Sequence, residues 1–174
     1  QAAEVRPAGR GHVRAELQII LGQGTVERIE NYTRLDAGDA SGGIDIVSAR
    51  GTDFGAQISG GTQLVYGLAS GATVFTGEQA VEAGGIASRT LISSGGTLDV
   101  LGGGTAVAPL LFAGGTLTVN GTLSGFIVSS GRTLTASGGT AVGTTVLGGG
   151  TFVLLGSATQ SGTKISAGGI LDVG

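Results

Sequence analysis

The glycine signal GGT, or a close variant of it, returns seven times between Gly60 and Gly168, each time ahead of a short alternating run. The runs are GGTQLVYG from Gly60, TGEQAVEAGG from Thr76, GGTLDVLGGG from Gly95 and GGTLTVNG from Gly114, then GRTLTASGG from Gly131, GGTFVLLG from Gly149 and GGILDVG from Gly168. Glycine weakens a strand from within and disfavours a helix. Set at regular intervals between alternating runs, it marks the corner of a repeating turn.

Aligned on that signal, the runs fall into columns. Gln63, Gln79, Leu98, Leu117, Leu134, Phe152 and Leu171 form one; Val65, Val81, Val100, Val119, Ala136, Leu154 and Val173 lie two residues on. The residue between them (Leu64, Ala80, Asp99, Thr118, Thr135, Val153, Asp172) is mostly small or polar. This is the period of a strand with one buried face. A third column reads Ala69, Ala87, Ala106, Leu123, Ala141 and Ala158. A fourth, just before each signal, reads Ile58, Val74, Ile92, Leu111, Val128, Val146 and Ile165, at steps of 16 to 19 residues.

A unit of that length cannot bury its own apolar face, but stacked units turn each column into a ladder around one interior. The sequence therefore predicts an all-β fold, a parallel β-helix or β-solenoid, with about 16–19 residues and three short strands per turn. Its predicted corners include Gly61, Gly85, Gly96, Gly104, Gly115, Gly139, Gly150 and Gly169, where positive φ or close packing between turns favours a residue without Cβ. Thr after the corner suits a strand start. Seven turns spaced by about 4.8 Å would give a rod on the order of 30–35 Å long.

The pattern extends a little upstream. GGIDIV at Gly42–Val47 resembles the later GGILDV, and RGTDFGAQI at Arg50–Ile58 can be laid over YGLASGATV at Tyr66–Val74. Before Gly42 it dissolves. The stretch His12–Gly22 has an apolar run, and Thr25–Leu35 is charged, with Val26, Ile29 and Tyr32 at roughly helical spacing. An open solenoid end is an aggregating edge. Residues 12–41 are accordingly read as an N-terminal cap, 42–174 as the solenoid and 1–11, with Pro7, as an extended arm. The chain begins at Gln1, which fits removal of an export signal. It stops in mid-turn at Leu171, Asp172, Val173 and Gly174. Either the natural protein continues or another subunit covers this end, so these four residues form the expected self-association end.

Thirty-seven glycines in 174 residues would suit a disordered chain, but 40% of residues are hydrophobic and only 12% charged. Disordered chains have the opposite balance. No run of about 18 apolar residues is present, so no membrane-spanning helix is expected. With no cysteine, a disulfide scaffold and a thiolate metal site are excluded. Only Arg89, Arg132 and Lys164 are cationic from Ser59 onward, against Glu78, Glu82, Asp99 and Asp172. So sparse a charge argues against nucleic acid, which needs clustered Lys and Arg, and leaves little electrostatic protection against self-association. Arg132 and Lys164 read as solvated charges on the lateral surface.

Catalytic groups are scarce. His12 is the single histidine and stands in the irregular N-terminal segment. Paired acids would be needed for glycan hydrolysis. Glu78 and Glu82 read as corner residues, and Asp99 and Asp172 as outward strand positions four turns apart, so they do not converge. Asp36, Asp39 and Asp45 faintly resemble calcium-binding turns, but the nonapeptide spacing is missing and they read as solvated acids. Calcium is the one ion considered, and no cofactor is expected. Gly22-Gln23-Gly24 lacks the rest of a phosphate loop. The Thr columns read as strand starts at corners, not as paired Thr on one flat ice-binding face.

The stretches Ser59–Val74 and Ala83–Val107 resemble the AIDA-type repeat of bacterial autotransporter adhesins and related secreted surface proteins. Gly60, Gly61, Thr62, Gln63, Val65 and Tyr66 match its first half; Gly85, Ala87, Thr90 and Ile92 match its second. The resemblance covers roughly 42–174, and the later units depart from it: Arg132 replaces a glycine and Pro109 the Thr. It implies a β-helical passenger exported to the bacterial cell surface, acting in adhesion, autoaggregation or biofilm, with some Ser/Thr carrying sugars. The expected function is thus a non-enzymatic extracellular module that self-associates, end to end or laterally, with head-to-tail filaments as the sharper version. Host or matrix glycans are the other expected partner; nucleic acid is not. Two alternatives stand beside it. The scarcity of aromatics counts against a carbohydrate-binding adhesin, and the dispersed acids count against a polysaccharide-processing enzyme.

Overall fold

The computed structural model describes the strands Val26–Ile29, Arg34–Asp36 and Asp39–Ala40 and residues 42–174. The predicted arm, His12, Gly22–Gly24 and Tyr32 lie outside these residues. The chain is an all-β parallel solenoid, with each turn contributing one strand to each of three faces.

The first face stacks Val26–Ile29, Ile44–Val47, the latter halves of Gln57–Val65 and Thr73–Val81, then Gly96–Val100, Thr116–Val119, Thr133–Ala136, Thr151–Leu154 and Ile170–Val173. The second face runs in the same order from Arg34–Asp36 through Thr52–Phe54, Leu68–Ser70, Ile86–Ser88, Thr105–Val107, Thr122–Ser124 and Thr140–Val142 to Thr159–Ser161. The third face has two-residue rungs, among them Leu91–Ile92, Leu110–Leu111, Ile127–Val128, Thr145–Val146 and Lys164–Ile165. Parallel strands need a crossover between neighbours, and here the other two faces of the same turn supply it.

The ladder register reproduces the sequence columns. Gln63 pairs with Gln79, Leu98 with Leu117 and Leu134 with Phe152, while Ile58, Val74, Ile92 and Leu111 stack on the third face. Ile92, Leu98, Val100, Ala106, Val119 and Val146 are fully buried, and one apolar core runs from Val81 to Leu154. Three predicted core residues are less enclosed. Leu111 and Leu117 are only partly buried, and Ile165 is 48% exposed near the last rung.

Each GG signal divides its work between two glycines. Gly95 has φ +87°, the left-handed conformation that turns the chain. Gly96 lies against the previous turn, where a Cβ would run into the carbonyl oxygen of Val74. Of the predicted corner glycines, Gly85, Gly96, Gly104, Gly115, Gly139, Gly150 and Gly169 are of the second kind: their requirement is space, not φ.

Two expectations are corrected. Val26–Ile29 and Arg34–Asp36 are strands, not turns of helix, and pair in parallel with Ile44–Val47 and Thr52–Phe54, so the ladder already runs upstream of Gly42. In the third column Ala141 pairs with Gln160, not Ala158, which takes the corner place that Gly139 holds one turn earlier. The cause is the first corner, whose length changes from turn to turn: Val65 leads directly to Leu68, Leu154 only to Thr159. The second corner keeps one length throughout.

Candidate functional surfaces and a buried polar ladder

Alternation along each first-face strand sends one set of side chains inward and the other out. In the turns before Leu98 the first inward column is polar, while the second remains apolar at Val47, Val65 and Val81. Asp45, Asp53, Gln63, Gln79 and Thr90 are all buried, and all lie within one chain of hydrogen bonds. The Thr90 hydroxyl donates to Gln79 Oε1 at 2.7 Å, and Gln79 Nε2 donates to Gln63 Oε1 at 2.6 Å. Gln63 Nε2 then donates to both Asp45 Oδ2 and Asp53 Oδ2, each at 2.6 Å. An amide carries donor and acceptor on one planar end, so glutamines in register can link one rung to the next. Burying such groups is tolerated because they pair.

Asp45 therefore is not a solvated turn acid. The signal was present in the sequence: laying GGIDIV over the later repeats puts Asp45 beneath Gln63, and laying Arg50–Ile58 over Tyr66–Val74 puts Asp53 beneath Ala69. Among the described residues no group of three or more His, Cys, Asp or Glu could hold a metal ion.

The remaining acids stay apart. Glu78 belongs to a first-face strand and not to a corner, in the outward row between Thr62 and Thr97. Asp99 and Asp172 lie in the neighbouring outward row, separated by Thr118, Thr135 and Val153. Arg132 is partly exposed and Lys164 exposed.

Outward rows carry hydroxyls and isolated apolar side chains. Thr105, Thr122, Thr140 and Thr159 form one file along the second face, and the last two hydroxyls are 2.9 Å apart. On the first face Thr116 with Thr118, and Thr133 with Thr135, occupy outward positions of the same strands, so Thr is paired there as well as placed at strand starts. Phe75, Leu110, Phe112, Ile127 and Leu147 are exposed on or beside the third face. No described helix is long and apolar enough to cross a membrane.

No family model and no curated protein matches the chain. Among solved structures it is similar to the crystal structure of a TibC-catalysed, hyper-glycosylated TibA55-350 fragment, with a TM-score of 0.55 and 21% sequence identity over 86% of this chain and 78% of that one. At that identity the likeness is one of fold alone.

Proposed function

We propose that this chain is a non-enzymatic structural module of an extracellular bacterial surface protein, acting in adhesion, autoaggregation or biofilm matrix by association with further copies of itself. The observation that carries the reading is the lateral surface of the solenoid from Ser59 onward, which has only seven charged residues and exposes large apolar side chains between hydroxyl rows. Such a surface has little electrostatic repulsion to keep copies apart. The TibA-like fold and the AIDA-type repeat residues support placement outside the cell.

In the head-to-tail version, the outer edge of Ile170–Val173 receives a strand from a neighbouring copy. A contact of this heterologous kind continues into a fibre. The TibA fragment is described as hyper-glycosylated; the outward Thr files are where sugars would sit on this chain.

Sedimentation and electron microscopy of the purified 174-residue chain test the reading. Concentration-dependent assembly is expected, with Val173→Asp shortening or abolishing filaments. Short monodisperse rods at every accessible concentration would exclude self-association.

A further inference from the structure

One rung of the solenoid is parted. On the third face each rung normally donates to the one before it: Leu110 N to Thr90 O at 2.8 Å, Phe112 N to Ile92 O at 2.9 Å, Thr145 N to Phe126 O at 2.9 Å and Leu147 N to Val128 O at 2.9 Å. Between Leu110–Leu111 and Ile127–Val128 this stops. Among the described residues the two strands do not pair, and neither Ile127 nor Ser129 donates back to Pro109 or Leu111. On the first face the break continues as far as one remaining pair, Val119 with Ala136. The second face runs through unbroken, from Thr105–Val107 to Thr122–Ser124 to Thr140–Val142.

The cause is legible at the corner. In neighbouring turns the residue before the first-face strand is a glycine pressed against the previous turn. A Cβ on Gly96 would strike the Val74 carbonyl oxygen, and a Cβ on Gly150 that of Val128. The equivalent residue of the parted turn is Arg132. Its Cβ has no room in a closed corner, so the turn must stand off. Gly131 bears this out: space for a Cβ there is open to 4 Å, whereas at Gly114 and Gly149 it is filled by Ser94 and Ser130. The far side of Arg132 is regular, its carbonyl accepting from Thr151 N at 2.9 Å. The parting also explains why Leu111 and Leu117 are incompletely covered.

We propose that Arg132 is a wedge built into the rod, and that the seam it opens is a hinge. The turns up to Val119 and those from Ile127 onward flex against each other about the continuous second face. This goes beyond the surface-module reading and does not depend on it.

Amide hydrogen exchange by NMR on the whole chain tests the wedge, with all four probe amides in one molecule. Ile127 and Ser129 should exchange roughly tenfold or more faster than Thr145 and Leu147, because unpaired edges open locally while paired rungs do not. Arg132→Gly should slow Ile127 and Ser129 to the rate of the other two. Arg132→Ala, which keeps the Cβ, should leave them fast. Equal rates in the unaltered chain, no change in Arg132→Gly, or full closure by Arg132→Ala would each overturn the wedge. The chain has no cysteine, so spin labels at Ser94→Cys and Ser166→Cys read the hinge directly. A distance distribution that narrows in Arg132→Gly supports flexing across the seam; unchanged width rules it out.

Discussion

From Leu98 to Phe152 the first inward column is apolar, while from Asp45 to Gln79, in the same column and on the same backbone, it is polar. The apolar half forms one continuous core from Val81 to Leu154. In the polar half the apolar residues fall into two small clusters, Val47 with Val65 and Ala69, and Ile58 with Val74. The hydrogen-bonded ladder runs between them. The comparison teaches that corners and strand period fix this backbone, and that the interior accepts either chemistry provided polar groups find each other. The two are not equal in stability. Apolar burial contributes roughly 25 cal/mol per Å², whereas a buried hydrogen bond contributes a net of about 1 kcal/mol after desolvation. What the polar half gains is register, because a slip of one residue would turn the whole amide ladder outward.

The largest effect expected from breaking this contrast is in the apolar half. Phe152→Ala empties the centre of a rung and should cost about 3–5 kcal/mol in urea denaturation; a loss near zero would mean the core collapses freely around the cavity. Next comes Gln63→Leu in the polar half. It removes the amide from which Asp45 and Asp53 both accept and should cost about 3 kcal/mol, since two buried carboxyl groups lose a hydrogen-bond donor. Were Gln63→Leu tolerated, the ladder would not be a paired unit.

Gln79→Leu sharpens the comparison by moving the polar-to-apolar boundary one rung. It strands Gln63 Oε1 and the Thr90 hydroxyl and should cost about 1–2 kcal/mol. Adding Thr90→Val should recover part of that, giving a non-additive double-mutant cycle; simple additivity would deny the coupling. The smallest effect is at the second corner. Gly71 and Gly143 turn it with φ of +72° and +64°, but Arg89 and Ala108 do so with +55° and +47°. Arg89→Gly or Ala108→Gly should raise stability by about 0.5–1 kcal/mol, the relief of left-handed strain exceeding the entropy that glycine adds to the unfolded chain. A lower urea midpoint in both variants would refute this.

Most of the fold could be read from the residues. Outside the parted rung, the columns through Val65, Leu98, Ile92 and their equivalents pair as aligned, because strand alternation and a glycine corner are local properties that repetition amplifies. The misreadings have specific causes. Ala158 was displaced because the first corner varies in length, which a glycine-anchored alignment does not register. Val26 and Ile29 lie three residues apart, a spacing that fits a helix as readily as a four-residue strand, and only pairing with Ile44–Val47 decides between them. Asp45 and Asp53 were legible as to position but not as to burial. An acid in an inward column is credible only once its partner is known.

The sequence by itself determined the solenoid: the repeat length, the three strands per turn, the inward direction of the apolar columns and the corners where a Cβ is excluded. These follow from period two and from glycine, and each needs only a few neighbouring residues. Tertiary structure alone decided which polar side chains meet inside and which rung stands open. Gln63 reaches Asp45 across 18 residues of chain, and Arg132 parts the ladder only because the previous turn's backbone occupies the space its Cβ would need. Both outcomes depend on the distance between successive turns, and that distance exists only once the turns are stacked.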